Sequence, residues 1–395
     1  MTRAASRPIK EYALGIYDGP HATPKEASDG GVFLGIKNIT DDGRLDLSEV
    51  RHVSDEDLPK WTRRVTPQPG DVVFTYEATL HRYAVIPDGF HGCLGRRVAL
   101  IRPDPAKSYS GYLLYYFLSR AWRNVVEGNV ISGATVDRIP LEKFPQFPAV
   151  LPNLMTQKEN AGILSAYDAL IENNRRRMKL LEEAARLLYQ EWFVHLRFPG
   201  HEHVKTTKGV PEGWERKTLG GLACITMGQS PESQYYNDVG EGLPFHQGVA
   251  DFGDRFVSHR IYCTARNRVA DAGDILCSVR APVGRLNLTS DKIIIGRGLA
   301  ALRSRAGHQS LLFQQLQAHF FKEDLIGAGA IFASVTKKEF EAQQILNPPT
   351  SLANLFEGVS SPLDEQLWVL TIQNEKLRAA RDLLLPRLMN GEIAV

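Results

Sequence analysis

Two stretches of the chain repeat one another, which limits the fold to a duplicated unit. Pro69-Gly70-Asp71-Val72-Val73-Phe74-Thr75 matches Ala272-Gly273-Asp274-Ile275-Leu276-Cys277-Ser278, a shift of 203 residues. Leu94 to Arg102 matches Ile295 to Arg303, a shift of 201, and Gly128 to Val136 matches Gly327 to Val335, a shift of 199. A helical match further on has a shift of 196. A shift that shrinks slowly is what small loop deletions leave behind.

Each copy carries its parts in the same order. Asp71-Val-Val-Phe-Thr and Asp274-Ile-Leu-Cys-Ser read as short buried strands after a Gly-Asp turn, as do Val98 to Ile101 and Lys292 to Ile295. An amphipathic helix is expected near Gly111 to Val126 and again near Gln309 to Leu325. A proline-rich exit follows, with Pro145, Pro148 and Pro152 in one copy and Pro348 and Pro349 in the other. Proline disfavours helix at the residue before it, so a boundary is expected there.

A long helix closes each copy. The first has the stripe Leu164, Tyr167, Ile171, Asn174, Met178, Leu181, Ala185, Leu188, Trp192, spaced alternately three and four. The second has Leu363, Leu367, Leu370, Asn374, Leu377, Arg381, Leu384, Leu388. Such a heptad seam needs a partner helix. An antiparallel pair with Asn174 against Asn374 would set Ile171 against Leu377, Met178 against Leu370, Leu181 against Leu367 and Tyr167 against Arg381. The last pair would be a cation–π contact. Pro199-Gly200 is expected to end the first helix. The expected organisation is then a first domain at 1–152, a helix at 153–198, a linker at 199–213, a second domain at 214–350, and a helix with a tail at 351–395. The class is α+β, with two similar mixed domains and a pseudo-two-fold repeat.

The chemical motifs are weak one by one. Gly296-Arg297-Gly298-Leu299-Ala300-Ala301 fits the dinucleotide fingerprint, but that fingerprint must open a helix, and the twin copy has Arg97 at its second glycine. Asn347-Pro348-Pro349-Thr350 resembles an amino-methyltransferase motif, but Thr350 cannot stack on a flipped base. His195, His201 and His203 have no carboxylate or cysteine at ligand spacing, so no metal is expected. Cys93, Cys224, Cys263 and Cys277 form no C-x-x-C pair and read as reduced thiols. Glu215-Arg216-Lys217 is too short a match to mark a nuclease. No catalytic residue is assigned.

Composition excludes the extreme classes. With 395 residues, 43% hydrophobic, 23% charged and a net charge of +2, the chain reads as an ordinary globular protein of more than one domain. No apolar run approaches the ~20 residues of a membrane span. The first residues lack the apolar centre of a signal peptide, so a cytoplasmic location is expected. A charge near balance neither supports nor excludes nucleic acid, because patches decide.

The loops suit binding. In the first copy the candidates are His21, Thr23, Lys25, Lys37, Asn38, Thr75, Tyr76, His81 and Arg82. In the second they are Gln229, Ser230, Tyr235, Tyr236, Asn237, Gln247, Arg280 and Arg285. Asn and Gln can pair bidentately with adenine edges, and Arg with guanine.

These residues resemble the specificity subunit of type I restriction–modification systems, the HsdS family. The likeness is carried by Pro211-Glu212-Gly213-Trp214-Glu215, Gly228-Gln229-Ser230-Pro231, Gly242-Leu243-Pro244-Phe245, Ser278-Val279-Arg280-Ala281-Pro282-Val283-Gly284, Ile295-Gly296-Arg297-Gly298-Leu299-Ala300 and Leu383 to Ile393, in that order. The resemblance implies two target recognition domains separated by two long antiparallel coiled-coil helices. Each domain would read one half of a bipartite, gapped site on double-stranded DNA. The helices would set the gap and dock two methyltransferase subunits, with two motor-nuclease subunits completing a restriction complex. Catalysis, S-adenosylmethionine and ATP with magnesium would belong to those partners, and this chain would bind no cofactor. Leu164 to Trp192 spans roughly 42 Å at ~1.5 Å per residue, against ~34 Å for a DNA turn. The rival expectation is a coiled-coil scaffold without DNA readout, and a third is a standalone DNA enzyme.

Overall fold

The structure is a computed structural model and describes residues 5–133, 136–265, 267–320 and 334–393. It divides into two compact units, Met1–Asn173 with Asn374–Val395, and Asn174–Gln373.

The first unit is built on a four-stranded sheet. Its order is Ala13–Asp18, Val98–Pro103, Val72–Thr75, Tyr83–Val85, with every pair antiparallel. The central strands are apolar except at their ends, at Thr75 and Arg102, because both faces are covered. Alternation sorts their side chains. Val72, Phe74, Ala99 and Ile101 face an aromatic core with Tyr112, Phe117, Trp122 and Phe144. Val73, Val98 and Leu100 face Leu34, Ile39, Ile86 and Leu94. Leu34 and Leu94 end the parallel pair Gly31–Leu34 and Gly92–Leu94, which forms a three-stranded sheet with Arg51–Val53.

The second unit repeats this design. Its four-stranded sheet runs Ala223–Met227, Leu299–Ser304, Ile275–Ser278, Leu286–Leu288. Ile275, Cys277, Ala300 and Leu302 face one core, and Leu276, Leu299 and Ala301 face the other. Leu243–His246 pairs in parallel with Ile293–Ile295, as the equivalent strands do in the first unit. Even the turn chemistry recurs. Gly70 and Gly273 sit at φ 86° and 85°, where a side chain would be strained. The aspartate after each is held by an arginine: Arg102 Nε donates to Asp71 Oδ1 at 2.8 Å, and Arg303 Nε to Asp274 Oδ1 at 2.6 Å.

The long helices are Leu154–Tyr189, continued by a π-helical turn at Gln190–Val194, and Thr350–Met389. Within the first unit they run antiparallel, since Asn160 Nδ2 donates to the Leu388 carbonyl at 3.1 Å and Arg381 Nη1 to Asp168 Oδ1 at 2.6 Å. Within the second unit, Asn174 Nδ2 approaches Gln373 Oε1 at 3.5 Å, and Tyr189 meets Phe356 edge-on at 6.2 Å. Ile171, Asn174, Leu367, Leu370 and Asn374 are buried. Tyr167, Met178, Leu181, Leu188, Leu377, Arg381 and Leu384 are half-buried, so no residue assigned to the seam is exposed.

Three expectations change. Arg381 pairs with Asp168 and Asp382 rather than stacking on Tyr167, because a carboxylate within reach outbids a ring face for a half-buried guanidinium. The helix expected at Gly111 to Val126 is two, Ser110–Leu118 and Arg120–Glu127. Ser119 turns extended between them and caps the second, its Oγ accepting from Trp122 N at 3.3 Å. The first long helix ends at its π-helical turn, ahead of Pro199-Gly200. The helix expected at Gln309 to Leu325 is observed as Gln309–Phe320, and its last residues, like most of the Gly327 to Val335 match, lie outside the described residues.

Candidate nucleic-acid interface

Strand pairing brings the candidate loops to one end of each sheet. In the first unit Asp18 pairs with Ala99, Thr75 with Val98, and Phe74 with Tyr83. The loops at 19–30, 76–82 and 95–97 therefore leave from the same end. The parallel strands Gly31–Leu34 and Gly92–Leu94 also finish there, Gly95 N donating to the Leu34 carbonyl at 2.8 Å. This adds the turn at 35–38. In the second unit the pairs Met227–Ala300, Ser278–Leu299 and Cys277–Leu286 place the same end at 228–230, 279–285 and 296–298. Gly296 N donates to the His246 carbonyl at 2.8 Å, adding 247–248.

Not every candidate can reach a ligand. His21, Thr23, Lys25 and Lys37 are exposed, with His21 Nε2 at 3.0 Å from Asp18 Oδ2 and Lys37 Nζ at 3.8 Å from Glu49. Asn38 is buried and its amide is fully used. Its Oδ1 accepts from Gly35 N, and its Nδ2 donates to the carbonyls of Asp46 and Glu49, all at 3.0 Å. Thr75 and Tyr76 are also buried, as are their counterparts Ser278 and Val279, because the strand end lies inside the core in both copies. Burial pushes the Tyr76 phenol above its ordinary pKa. His81 is half-buried, and burial lowers its pKa. Arg82 is half-buried and points Nη1 at the carbonyls of Ile36 and Ile39, bracing the neighbouring turn.

In the second unit Gln229, Tyr235, Gln247, Arg280 and Arg285 are exposed. Ser230 Oγ donates to Gln247 Oε1 at 2.8 Å and accepts from Arg297 N at 3.2 Å, so these three loops are tied together. Tyr236 is structural: it stacks on Phe245 at 4.6 Å and donates to the Pro231 carbonyl. Asn237 closes a turn, its amide both donating to the Glu241 carbonyl and accepting from Glu241 N at 2.9 Å. Asn38, Thr75, Tyr76, Tyr236 and Asn237 are therefore withdrawn as base-reading side chains.

Two residues were missed. Arg96 and Arg297 are exposed at equivalent turns at this end of each sheet. Their turns are tight because backbones touch: a Cβ on Gly95 would lie 2.5 Å from the Leu34 carbonyl, and one on Gly228 would lie 2.2 Å from the Gly296 carbonyl. Close approach explains the Gly-x-Gly spelling. A strand, Leu299–Ser304, follows it where a dinucleotide site needs a helix. The signal for both arginines was the repeat itself. Arg64 and Arg97 add charge nearby, paired with Asp18 at 2.6 Å and Glu77 at 2.9 Å. Such an end can hold phosphates and present side chains to base edges.

No family model matches the chain. The protein assigned as the MjaX type I restriction enzyme specificity subunit of Methanocaldococcus jannaschii is 29% identical, over 98% of this chain and 93% of its own length. The chain is a homologue of type I restriction specificity subunits. The MjaIX specificity subunit of the same organism is 24% identical, over 99% of this chain and 90% of its own. The solved specificity subunit from M. genitalium has the same fold, with a TM-score of 0.57 at 15% identity, covering 97% of this chain and 95% of that one. Among the described residues no helix is long and apolar enough to cross a membrane.

Proposed function

We propose that this chain is the DNA sequence-specificity subunit of a type I restriction–modification complex. Each globular domain reads one half of a bipartite, gapped site on double-stranded DNA. The long helices set the gap and dock two methyltransferase subunits, and two motor-nuclease subunits complete the restricting form. The chain itself is non-catalytic and binds no cofactor; S-adenosylmethionine, ATP and magnesium belong to the partners. Its place is the prokaryotic cytoplasm, where the DNA is.

The observation that carries this proposal is the repeated loop end. In both copies, strand pairing gathers exposed cations at one end of the sheet: Lys25, Lys37 and Arg96 in one, Arg280, Arg285 and Arg297 in the other. Duplication of the fold with divergence of these side chains is what two different half-sites require. Homology to specificity subunits along nearly the whole chain supports it.

The test is binding by the chain assembled with its modification subunits. Affinity for duplex DNA should fall steeply with salt, by roughly 0.9 decades per decade of salt for each phosphate contact. A well-assembled complex whose DNA affinity ignores salt would reject the proposal.

A further inference from the structure

The two copies are fastened to the long helices at matching points. Leu154 and Thr350, which open those helices, are 196 residues apart. Asp168 and Asp364 are separated by the same 196, so they stand at the same place on the two helices. Each accepts a short hydrogen bond from the globular part of its own unit. Tyr115 Oη donates to Asp168 Oδ2 at 2.5 Å, and Arg255 Nη2 donates to Asp364 Oδ1 at 2.5 Å. One turn further on, Glu172 and Trp368 are again 196 apart. Arg44 Nη1 lies 3.8 Å from Glu172, and Phe256 packs on Trp368 with centroids 5.1 Å apart. Arg44 and Phe256 come from equivalent turns, closed by the bridges Ile39–Leu45 and Phe252–Val257. The attachment points persist while the chemistry at each differs.

The second unit shows what such a point does. Its apolar cluster with the helices sets Trp214 and Leu311 against Phe193, Leu352 and Phe356, and the Phe256–Trp368 contact lies further along, beside Asp364. The domain's main core contains no residue of either long helix. Beside Arg255 lies a cavity of about 730 Å³ between Lys179, Glu182 and Arg186 on the helix and Phe252, Arg255 and Arg285 on the domain. The domain is thus fastened at the apolar cluster and again at Asp364 and Trp368, with Asp364 eight residues or ~12 Å along the helix from Phe356. Arg255 is only 6% exposed, and its guanidinium carbon lies 3.6 Å from the Phe313 ring centroid. Without the Asp364 charge, Arg255 must find another partner, and Glu182, also facing the cavity, would draw it across.

We infer that Asp168 and Asp364 are positioning residues that set the pitch of each globular domain on its helices, and so the number of base pairs accepted between the half-sites. This rests on the proposed function. The first domain also packs Ala161, Leu164 and Leu388 into its own core, so the larger effect belongs to Asp364.

The test uses the assembled modification complex and duplexes with fixed half-sites whose gap is one base pair short, natural, or one base pair long. The wild type should methylate the natural gap alone; if it methylates none, the proposed function fails and this inference with it. Asp364→Asn should slow the natural gap by about tenfold and bring an altered gap to a comparable rate, with the half-site bases unchanged. Asp364→Glu should restore discrimination, and Glu365→Gln, at an exposed neighbour, should change nothing. Two results would overturn the inference. One is an Asp364→Asn complex that keeps the wild-type preference for a single gap. The other is one that loses all gaps equally while melting earlier, which would make Asp364 merely structural.

Discussion

Replacing Arg297 with alanine is expected to weaken specific DNA binding by the assembled complex by about 5- to 150-fold, the ~1–3 kcal/mol of one arginine–base contact. The same substitution at Arg96 should do this for the other half-site. Both arginines are exposed, and both turns are fixed by backbone contacts rather than by the arginine side chains, so folding and assembly should be unaffected. The readout separates two roles. A base-reading arginine relaxes sequence preference in its own half-site. A phosphate-binding one weakens all sequences alike and reduces the salt slope by about 1. Unchanged affinity for both variants would remove the Gly-Arg turns from the interface.

The second large effect is on stability and acid. His246 is fully buried. Its Nε2 is 2.9 Å from His259 Nδ1, and its Nδ1 is 3.6 Å from Asp251 Oδ2. Burial, reinforced by His259 and opposed by Asp251, pushes its pKa down to about 4. Arg260 pairs with Asp251, and Asp291 with His259 at 3.2 Å. In the unfolded chain the imidazole titrates near ~6.5. Between these values the unfolded state binds more protons, so stability is lost as pH falls from ~6.5 toward about 4. The loss between pH 7 and pH 5 should be about 2 kcal/mol. Hydrogen exchange in Leu243–His246 and Ile293–Ile295 would report it, and His246→Gln should flatten the dependence. Equal slopes for the two proteins would show that His246 does not carry it.

The duplicated frame was legible because the two copies match directly, their buried strands stand as short apolar runs after a Gly-Asp turn, and their heptad helices leave a period of 3.5. Val72, Val73 and Phe74 divide between two cores as alternation requires, and so do Ile275, Leu276 and Cys277. The interface was legible as loops and less so as residues. Asn38 and Asn237 have the right chemistry to read adenine, but their amides are consumed by their own turns, and residue type does not record that. Thr75 and Tyr76 sit where strand becomes loop, a boundary that spacing does not fix to one residue. Arg381 occupies a seam position, yet its partner Asp168 lies beside the seam, outside any stripe of apolar spacing. Arg297 was hidden in a fingerprint that belongs to another fold, Arg96 stands at the matching turn of the twin copy, and only the strand following Gly298 shows what that turn is.

The most direct test of the whole account is to co-express the chain with its modification subunits in a host free of methylation and map the modified bases by long-read sequencing. The account predicts one gapped, two-part motif that vanishes when this gene is deleted. A well-formed complex that writes no motif, or an ungapped one, would contradict it.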